Sequence, residues 1–324
     1  MIDVRHIKIP NDDDGQRLDR WLKKNVTEMS FVMAQKLIRT GQIRVDGKRV
    51  KPDARLVAGQ EIRLPPMDQR PDAIDGYRLR DDDADMIIKS VIYDDGDIIA
   101  INKPPGIATQ GGNKIERHID GMLEALTGND GVKPRLVHRL DKDTSGVLLV
   151  ARSADMARRM GKMFQSRDMK KIYWAITSPA PINMEGEIKA PIIKMESGPN
   201  KDKMVVDQKE GQRAYTNYEV MEVAGKTAAF VAFMPKTGRT HQIRVHAAHM
   251  GFPLLGDEKY GVKAAIEGPG ITQRLHLHAR SLEFRHPKTG KTMKIMAPLP
   301  QDLAKSWDAL GFQKKPDHEP FAGF

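Results

Sequence analysis

The 324-residue chain predicts an α+β protein of two modules. The first is a small α/β module; the second is a larger domain with a mixed, largely antiparallel central sheet flanked by helices. Three observations carry this. The length suits about two domains at roughly 150 residues each. A proline-bearing stretch over residues 67–90 holds four Lys/Arg against seven Asp/Glu and separates two net-basic regions, so it reads as an acidic linker. Beyond it, strand-like apolar runs are separated by turns too short for a crossover helix, which favours antiparallel pairing over a doubly wound parallel sheet.

The small module spans residues 1–66. Leu18, Trp21 and Leu22 share one face of a short helix. Ser30 reads as the N-cap of a second, with Met33, Leu37 and Ile38 as its apolar face and Gly41 as its stop. Asp46-Gly47 between Ile43–Val45 and Arg49-Val50 is a strong two-residue hairpin signal, and Glu61–Leu64 reads as a closing strand. Strand alternation turns Arg44 and Arg63 away from the apolar side. With Arg17, Arg20, Lys36 and Arg39 they form a candidate basic surface.

The large module spans residues 91–312. Val91–Tyr93, Ile98–Ile101, Val147–Ala151, Ile172–Ile176 and Phe230–Phe233 read as strands, and Glu116–Leu126 and Met156–Gln165 as helices. Residues 313–324, with Lys314-Lys-Pro-Asp, read as a loose tail.

Composition excludes several chemistries. The chain has no cysteine, which removes a disulfide framework, a Cys-ligated metal centre and a cysteine nucleophile. Neither G-x-G-x-x-G nor a P-loop occurs, so no nucleotide-cofactor motif is present. There is no apolar run long enough to span a membrane, and the N-terminus lacks a secretory or transit pattern, which leads us to expect an unprocessed cytoplasmic protein. The formal net charge of +10 suits a polyanionic partner.

Three segments hold the candidate functional residues. Val137–Gly146 places His138, Arg139, Asp141 and Asp143 in a loop between apolar strands, where turn formation alone would also explain Asp, Thr, Ser and Gly. In Lys170–Thr177, alternation puts Tyr173, Ala175 and Thr177 opposite Ile172, Trp174 and Ile176, leaving Tyr173 beside a small neighbour where a flat ring would fit. In Lys236–His249, read as a strand, Ile243 and Val245 face a core while Gln242, Arg244 and His246 project opposite. His241, His246 and His249 lack a metal-ligand spacing, so no metal is expected.

Arg17-Leu-Asp-Arg-Trp-Leu and Lys36–Lys48 resemble the S4 RNA-binding domain over roughly residues 14–65. His138-Arg-Leu-Asp-x-x-Thr-Ser-Gly146, together with Asn102-Lys-Pro-Pro-Gly, Lys171-x-Tyr-x-Ala and Gly238-Arg-Thr-His-Gln-Ile-Arg-Val-His in order, resembles the RluA-type pseudouridine synthases over about residues 91–300. Gln110 stands where many members of that family carry histidine. The His138 start distinguishes the segment from the small-subunit type, which begins Gly-Arg-Leu-Asp.

The resemblance implies an RNA-modifying isomerase that breaks the C1′–N1 bond of uridine and joins C1′ to C5, with large-subunit ribosomal RNA as partner. Other RNA substrates, or a non-catalytic RNA-binding assembly factor, are the alternatives. By resemblance Asp141 is the catalytic carboxylate, attacking C1′ or removing the C2′ proton. Arg244 would hold it by a salt bridge, Tyr173 would stack on the flipped uracil, and Arg139 would enter the RNA stack or hold a phosphate. His138 would shape the loop. Such an isomerisation requires no cofactor and no metal, and a monomer is the expected form.

Overall fold

The structure is a computed structural model that describes residues 4–26, 29, 31–66, 77–112, 115–166, 168–198, 200–261 and 268–322. The predicted Ser30 cap lies outside the described residues. The chain divides into two compact units, residues 1–77 and 78–324.

In the first unit, β1 (Arg5–Lys8), α1 (Leu18–Asn25), α2 (Phe31–Arg39), β2 (Arg44–Val45) and β3 (Glu61–Leu64) follow in order. The antiparallel sheet runs β1-β3-β2, so the predicted closing strand is the central one. The short β1 lacks a period long enough to announce itself in sequence. Asp46 and Gly47 both have positive φ, as a tight hairpin turn with the strand's own twist demands. The Arg49-Val50 arm does not continue as a strand; the turn closes on a single Val45–Lys48 bridge. Leu18, Trp21, Leu22, Ile38, Ile43, Ile62 and Leu64 make the core, and Trp21 Nε1 donates to buried Asp13 at 2.8 Å.

The second unit opens with α3 (Asp81–Lys89), β4 (Val91–Asp94), β5 (Ile98–Lys103), α4 (Ile119–Met122), β6 (Arg135–Leu136), β7 (Ser145–Ala151), α5 (Ala154–Gln165) and β8 (Lys170–Thr177). It continues with β9 (Glu185–Lys189), β10 (Ile192–Lys194), β11 (Met204–Val206), β12 (Tyr215–Ala224), β13 (Ala228–Pro235), α6 (Gln242–His249), β14 (Leu277–Arg285), β15 (Thr292–Met296) and α7 (Gln301–Ala309). The main sheet runs β4-β5-β7-β14-β8-β13-β12-β9, with β6 on β7 and β15 on β14. All its pairs are antiparallel except β7 with β14. The fold is therefore the mixed, largely antiparallel α+β architecture expected, and apolar side chains cover both faces. Ala175, Val231, Phe233 and Leu277 pack with Ile243 and Ala247 of α6. On the opposite face Ile172, Trp174 and Ile176 pack with Phe230 and Trp307 of α7.

Three expectations are corrected. Part of the supposed linker, Asp81–Lys89, is helix α3: Asp81, Asp82 and Asp83 occupy its first turn, where the helix dipole favours carboxylates. Asp83 is fully buried and accepts from Arg80 and Arg117. Residues 67–76 lie outside the described residues. The Gln242–His249 segment is a helix, because neither period governs a segment whose residues Gln242–Ala247 are all buried. The tail is held, not loose, over its described residues. Glu219 accepts from the Phe321 N–H at 2.8 Å, Lys170 Nζ donates to the Phe321 carbonyl at 2.8 Å, and the Phe321 ring joins the α7-side core.

Candidate active site

Asp141 sits in the loop between β6 and β7, and that loop is fixed from several sides. The Thr109 hydroxyl donates to the Leu140 carbonyl at 2.6 Å and accepts the Leu140 N–H at 3.1 Å. Lys103 Nζ, wholly buried at the end of β5, donates to the carbonyls of Pro104, Ile107 and Lys142 at 2.8, 2.8 and 3.0 Å. Burial pushes this amine down to about 7, against the pull of Asp143 and Asp141. His138 Nε2 accepts the Leu149 N–H at 2.8 Å and its ring stacks on Phe164 at 4.2 Å. Burial lowers this imidazole to about 3, so it is a neutral structural pin. Gly146 ends the loop where β7 meets β14 in parallel: a Cβ there would lie 2.2 Å from the Ala279 carbonyl oxygen. Only glycine permits that approach, and its φ of +114° is one other residues avoid.

A cavity of about 370 Å³ opens over this loop, within the usual range for small-ligand sites. Arg139, Asp141, Lys171, Tyr173, Arg239, His241 and Arg244 all line it, so the fold brings the four sequence-nominated residues to one place. Asp141 keeps about a fifth of its side chain exposed. Tyr173 projects from β8 between Ala279 of β14 and Phe233 of β13 and lines the cavity. Burial, and then the charge of Asp141, push its hydroxyl well above the ordinary tyrosine range, so it stays protonated. Arg139 is exposed. Lys171 on the same wall is lowered by burial and by Lys236.

The predicted Arg244–Asp141 salt bridge does not form. Arg244 projects from α6, not from a strand, and its guanidinium makes a two-point pair with Asp257, Nε to Oδ2 at 2.8 Å and Nη2 to Oδ1 at 2.7 Å. Its neighbour across the gap from Asp141 is His241, with Nε2 4.0 Å from Asp141 Oδ1. His241 Nδ1 is 2.7 Å from the Tyr260 hydroxyl, which accepts the Met204 N–H at 3.1 Å. Arg244 stacks over the Tyr260 ring, 5.1 Å from its centroid. Asp257 Oδ1 also accepts the N–H groups of Lys259 and Tyr260, at 3.0 and 3.1 Å.

The other histidines of α6 divide cleanly. His246 Nε2 donates to the Ala190 carbonyl and Nδ1 takes the Thr216 hydroxyl proton, both at 2.9 Å, while His249 is exposed. Elsewhere, Asp95, Asp97 and His286 lie close enough to share a cation. The His286 Nδ1 lone pair, however, takes the Lys288 and Thr289 N–H groups, which puts the ring proton on Nε2, facing Asp95 at 3.1 Å. Lys288 Nζ binds both oxygens of Asp97. This is a clip between two turns, with the imidazole lone pair already engaged.

Residues 97–249 match the RNA pseudouridylate synthase family and residues 16–62 the S4 domain. Ribosomal large subunit pseudouridine synthase C of Escherichia coli K12 is 33% identical over 322 residues, covering 95% of this chain and 97% of that protein. The same-named protein of Yersinia pestis is 35% identical over 312 residues, covering 93% of each. The chain belongs to the RNA pseudouridine synthase family. Among solved structures, human RNA pseudouridylate synthase domain containing 4 superposes with a TM-score of 0.61 at 28% identity, over 72% of this chain and 97% of that one.

As a pseudouridine synthase the chain is an isomerase acting on RNA, and its fold supplies supports that sequence patterning did not identify. Thr109 and Lys103 hold the Asp141 loop through backbone carbonyls, a role with no periodic signature, although Lys103 lies in the Asn102-Lys-Pro-Pro-Gly motif. His241 and Tyr260 meet only because α6 and the Gly256–Gly261 turn are brought together, from positions 19 residues apart. Among the described residues, no helix is long and apolar enough to cross a membrane.

Proposed function

We propose that this synthase converts specific uridines of large-subunit ribosomal RNA to pseudouridine in the cytoplasm, with Asp141 as its catalytic carboxylate. The observation that carries the reading is Asp141 itself: a partly exposed carboxylate on a rigid loop, sharing a nucleoside-sized cavity with Tyr173 and a basic wall. The large-subunit substrate is supported by the relatives that share nearly the whole chain, both domains included.

The reaction is balanced within the substrate: the C1′–N1 bond breaks, C1′–C5 forms, C5 loses its proton and N1 gains one. It needs the uridine out of its stack, which a synthase achieves by extruding the nucleotide into a pocket. Tyr173 offers its ring to the detached uracil and a protonated hydroxyl to its polar edge. Asp141 acts on the sugar, at C1′ as nucleophile or at C2′ as base; both roles require the ionised carboxylate. Arg139, exposed beside it, takes the gap left in the RNA stack or a flanking phosphate, and Lys171 and Arg239 add positive charge. In the S4 unit, Arg44 and Arg63 face each other directly across β2 and β3, with His6 opposite Arg63 on the other side. Like charges in register repel, and a phosphate backbone laid along that face relieves the repulsion.

Chemical mapping of pseudouridine across ribosomal RNA, with and without the gene, tests this. Loss of discrete large-subunit sites, restored by the wild-type protein and not by Asp141→Asn, is the expected result. An unchanged large-subunit map, or full restoration by Asp141→Asn, overturns it.

A further inference from the structure

Across the cavity from Asp141 lies a histidine, His241, with Nε2 4.0 Å from the carboxylate, and its partners bear on which proton it presents. The Tyr260 hydroxyl accepts the Met204 N–H, and giving its own proton to His241 Nδ1, 2.7 Å away, is the arrangement that uses both its acceptor and its donor. An imidazole that accepts at Nδ1 carries its proton on Nε2, and Nε2 is the atom facing Asp141 Oδ1 at 4.0 Å. His241 also holds a left-handed backbone, φ +53°, at the residue preceding α6. A non-glycine residue pays for that conformation, and such strain collects where a side chain must be aimed.

Arg244 supports this arrangement from behind. Its pair with Asp257 anchors the carboxylate that accepts the Tyr260 N–H, and its guanidinium covers the Tyr260 ring. A chain of contacts therefore runs from Arg244 and Asp257 through Tyr260 to His241, and stops one step short of Asp141.

We propose that His241 is a positioning residue for Asp141, locked by Tyr260 as a neutral Nε2–H donor that orients the carboxylate without pairing its charge. The inference rests on the reading of Asp141 as the catalytic carboxylate. A guanidinium bound to Asp141 at two points would tie up both oxygens. A single neutral donor leaves one oxygen directed at the sugar. The 4.0 Å separation is too long for a hydrogen bond, and it closes when substrate draws the two side chains together, as catalytic hydrogen bonds do. The charged and titratable groups around His241 are Asp141 and Asp257, which favour its protonation, and Arg244 and Lys259, which oppose it, with Tyr260 at Nδ1. Burial outweighs them and holds the imidazole below the usual histidine range, so the neutral form persists at neutral pH.

The test is single-turnover release of tritium from C5-labelled uridine in ribosomal RNA, with saturating full-length enzyme, against pH. RNA affinity and thermal stability are measured in parallel. His241→Ala lowers the rate about a hundredfold, the scale of a positioned donor, with RNA affinity within about twofold. Tyr260→Phe, nearly isosteric, lowers it about tenfold, the scale of one hydrogen bond. His241→Gln, which restores a neutral N–H donor, recovers most of the rate. Its acid limb moves to lower pH, because the imidazolium that would neutralise Asp141 in the wild type no longer forms. Nitrogen NMR of the wild-type ring shows the proton on Nε2. Wild-type rates in both His241→Ala and Tyr260→Phe, a His241→Gln variant as slow as His241→Ala, or a ring protonated on Nδ1 each overturn the proposal. Asp141→Asn serves as the internal reference. Full activity there overturns the catalytic reading of Asp141, whereas an inactive Asp141→Asn beside a fully active His241→Ala overturns the positioning role alone.

Discussion

The S4 unit and the Asp141 cavity both gather positive charge, and they treat it in opposite ways. On the S4 sheet, Arg44 and Arg63 stand opposite each other, their guanidinium N–H groups donating to the carbonyls of Gly41, Gly47 and Gln42. Among the described residues neither makes an ion pair. Around Asp141, Arg244 is buried and paired with a fully buried carboxylate, and Lys103 is sealed among three carbonyls. Exposed like charges bind a polyanion weakly, additively and with strong salt dependence. Buried, satisfied charges fix geometry and are insensitive to salt. On the proposed reading, one region governs affinity and the other rate, and variants can separate them.

The largest effect on the rate side, after loss of Asp141 itself, is expected from Lys103→Met. It leaves the carbonyls of Pro104, Ile107 and Lys142 without their donor and releases the loop beneath Asp141. Loss of these bonds costs about 2–3 kcal/mol of stability, read by chemical denaturation. Misplacing the carboxylate by even an ångström lowers single-turnover rate by about a hundredfold. RNA affinity should stay near wild type; a matching loss of affinity would break the division between the two regions.

Tyr173→Phe has a smaller effect. The ring remains as a platform and only the hydroxyl goes, so the rate falls about tenfold with unchanged RNA binding. The wild-type hydroxyl is held above its ordinary range by burial and by Asp141, so its protonated form survives as pH rises through the range where a free tyrosine ionises. Its ionisation should accordingly contribute no alkaline limb below about pH 10. A wild-type limb there that vanishes in Tyr173→Phe would show the phenol ionising, contrary to this reading.

These variants also mark how far the sequence reached. Tyr173 was legible because a strand alternates with period two, which sets it on the opposite face from Ile172, Trp174 and Ile176. The Asp46-Gly47 turn was legible because only a few residue types tolerate its backbone. Helix α6 was not: Gln242, Arg244 and His246 are buried, each satisfied by a partner far away in sequence, and a segment buried all round has no periodicity to read. It was the resemblance that paired Arg244 with Asp141, and the packed helix gives it Asp257 instead. Asp257 lies 13 residues along the chain and Asp141 much farther back, and only the packed helix shows which one the guanidinium meets. The tail misled for the reverse reason. Its polar, proline-bearing composition looks loose, yet a single buried Phe321 and the carboxylate of Glu219 hold it.

The smallest effect on rate, and the sharpest on salt, belongs to Arg44→Gln combined with Arg63→Gln. Glutamine keeps a donor for the local carbonyls and removes both charges, so the sheet should keep or gain stability because the cross-strand repulsion disappears. Each lost phosphate contact flattens the dependence of log affinity on log salt by about 0.7 to 0.9, so the double variant should lower the slope by about 1.5. Affinity for the ribosomal RNA substrate should fall about tenfold at low salt and by less at high salt, while the rate at saturating enzyme stays at the wild-type value. An unchanged salt slope would mean the facing arginines do not meet phosphate. A fall in saturated rate would mean that the S4 face helps set the geometry at Asp141, and the separation of affinity from chemistry would then give way to a coupling between the two units.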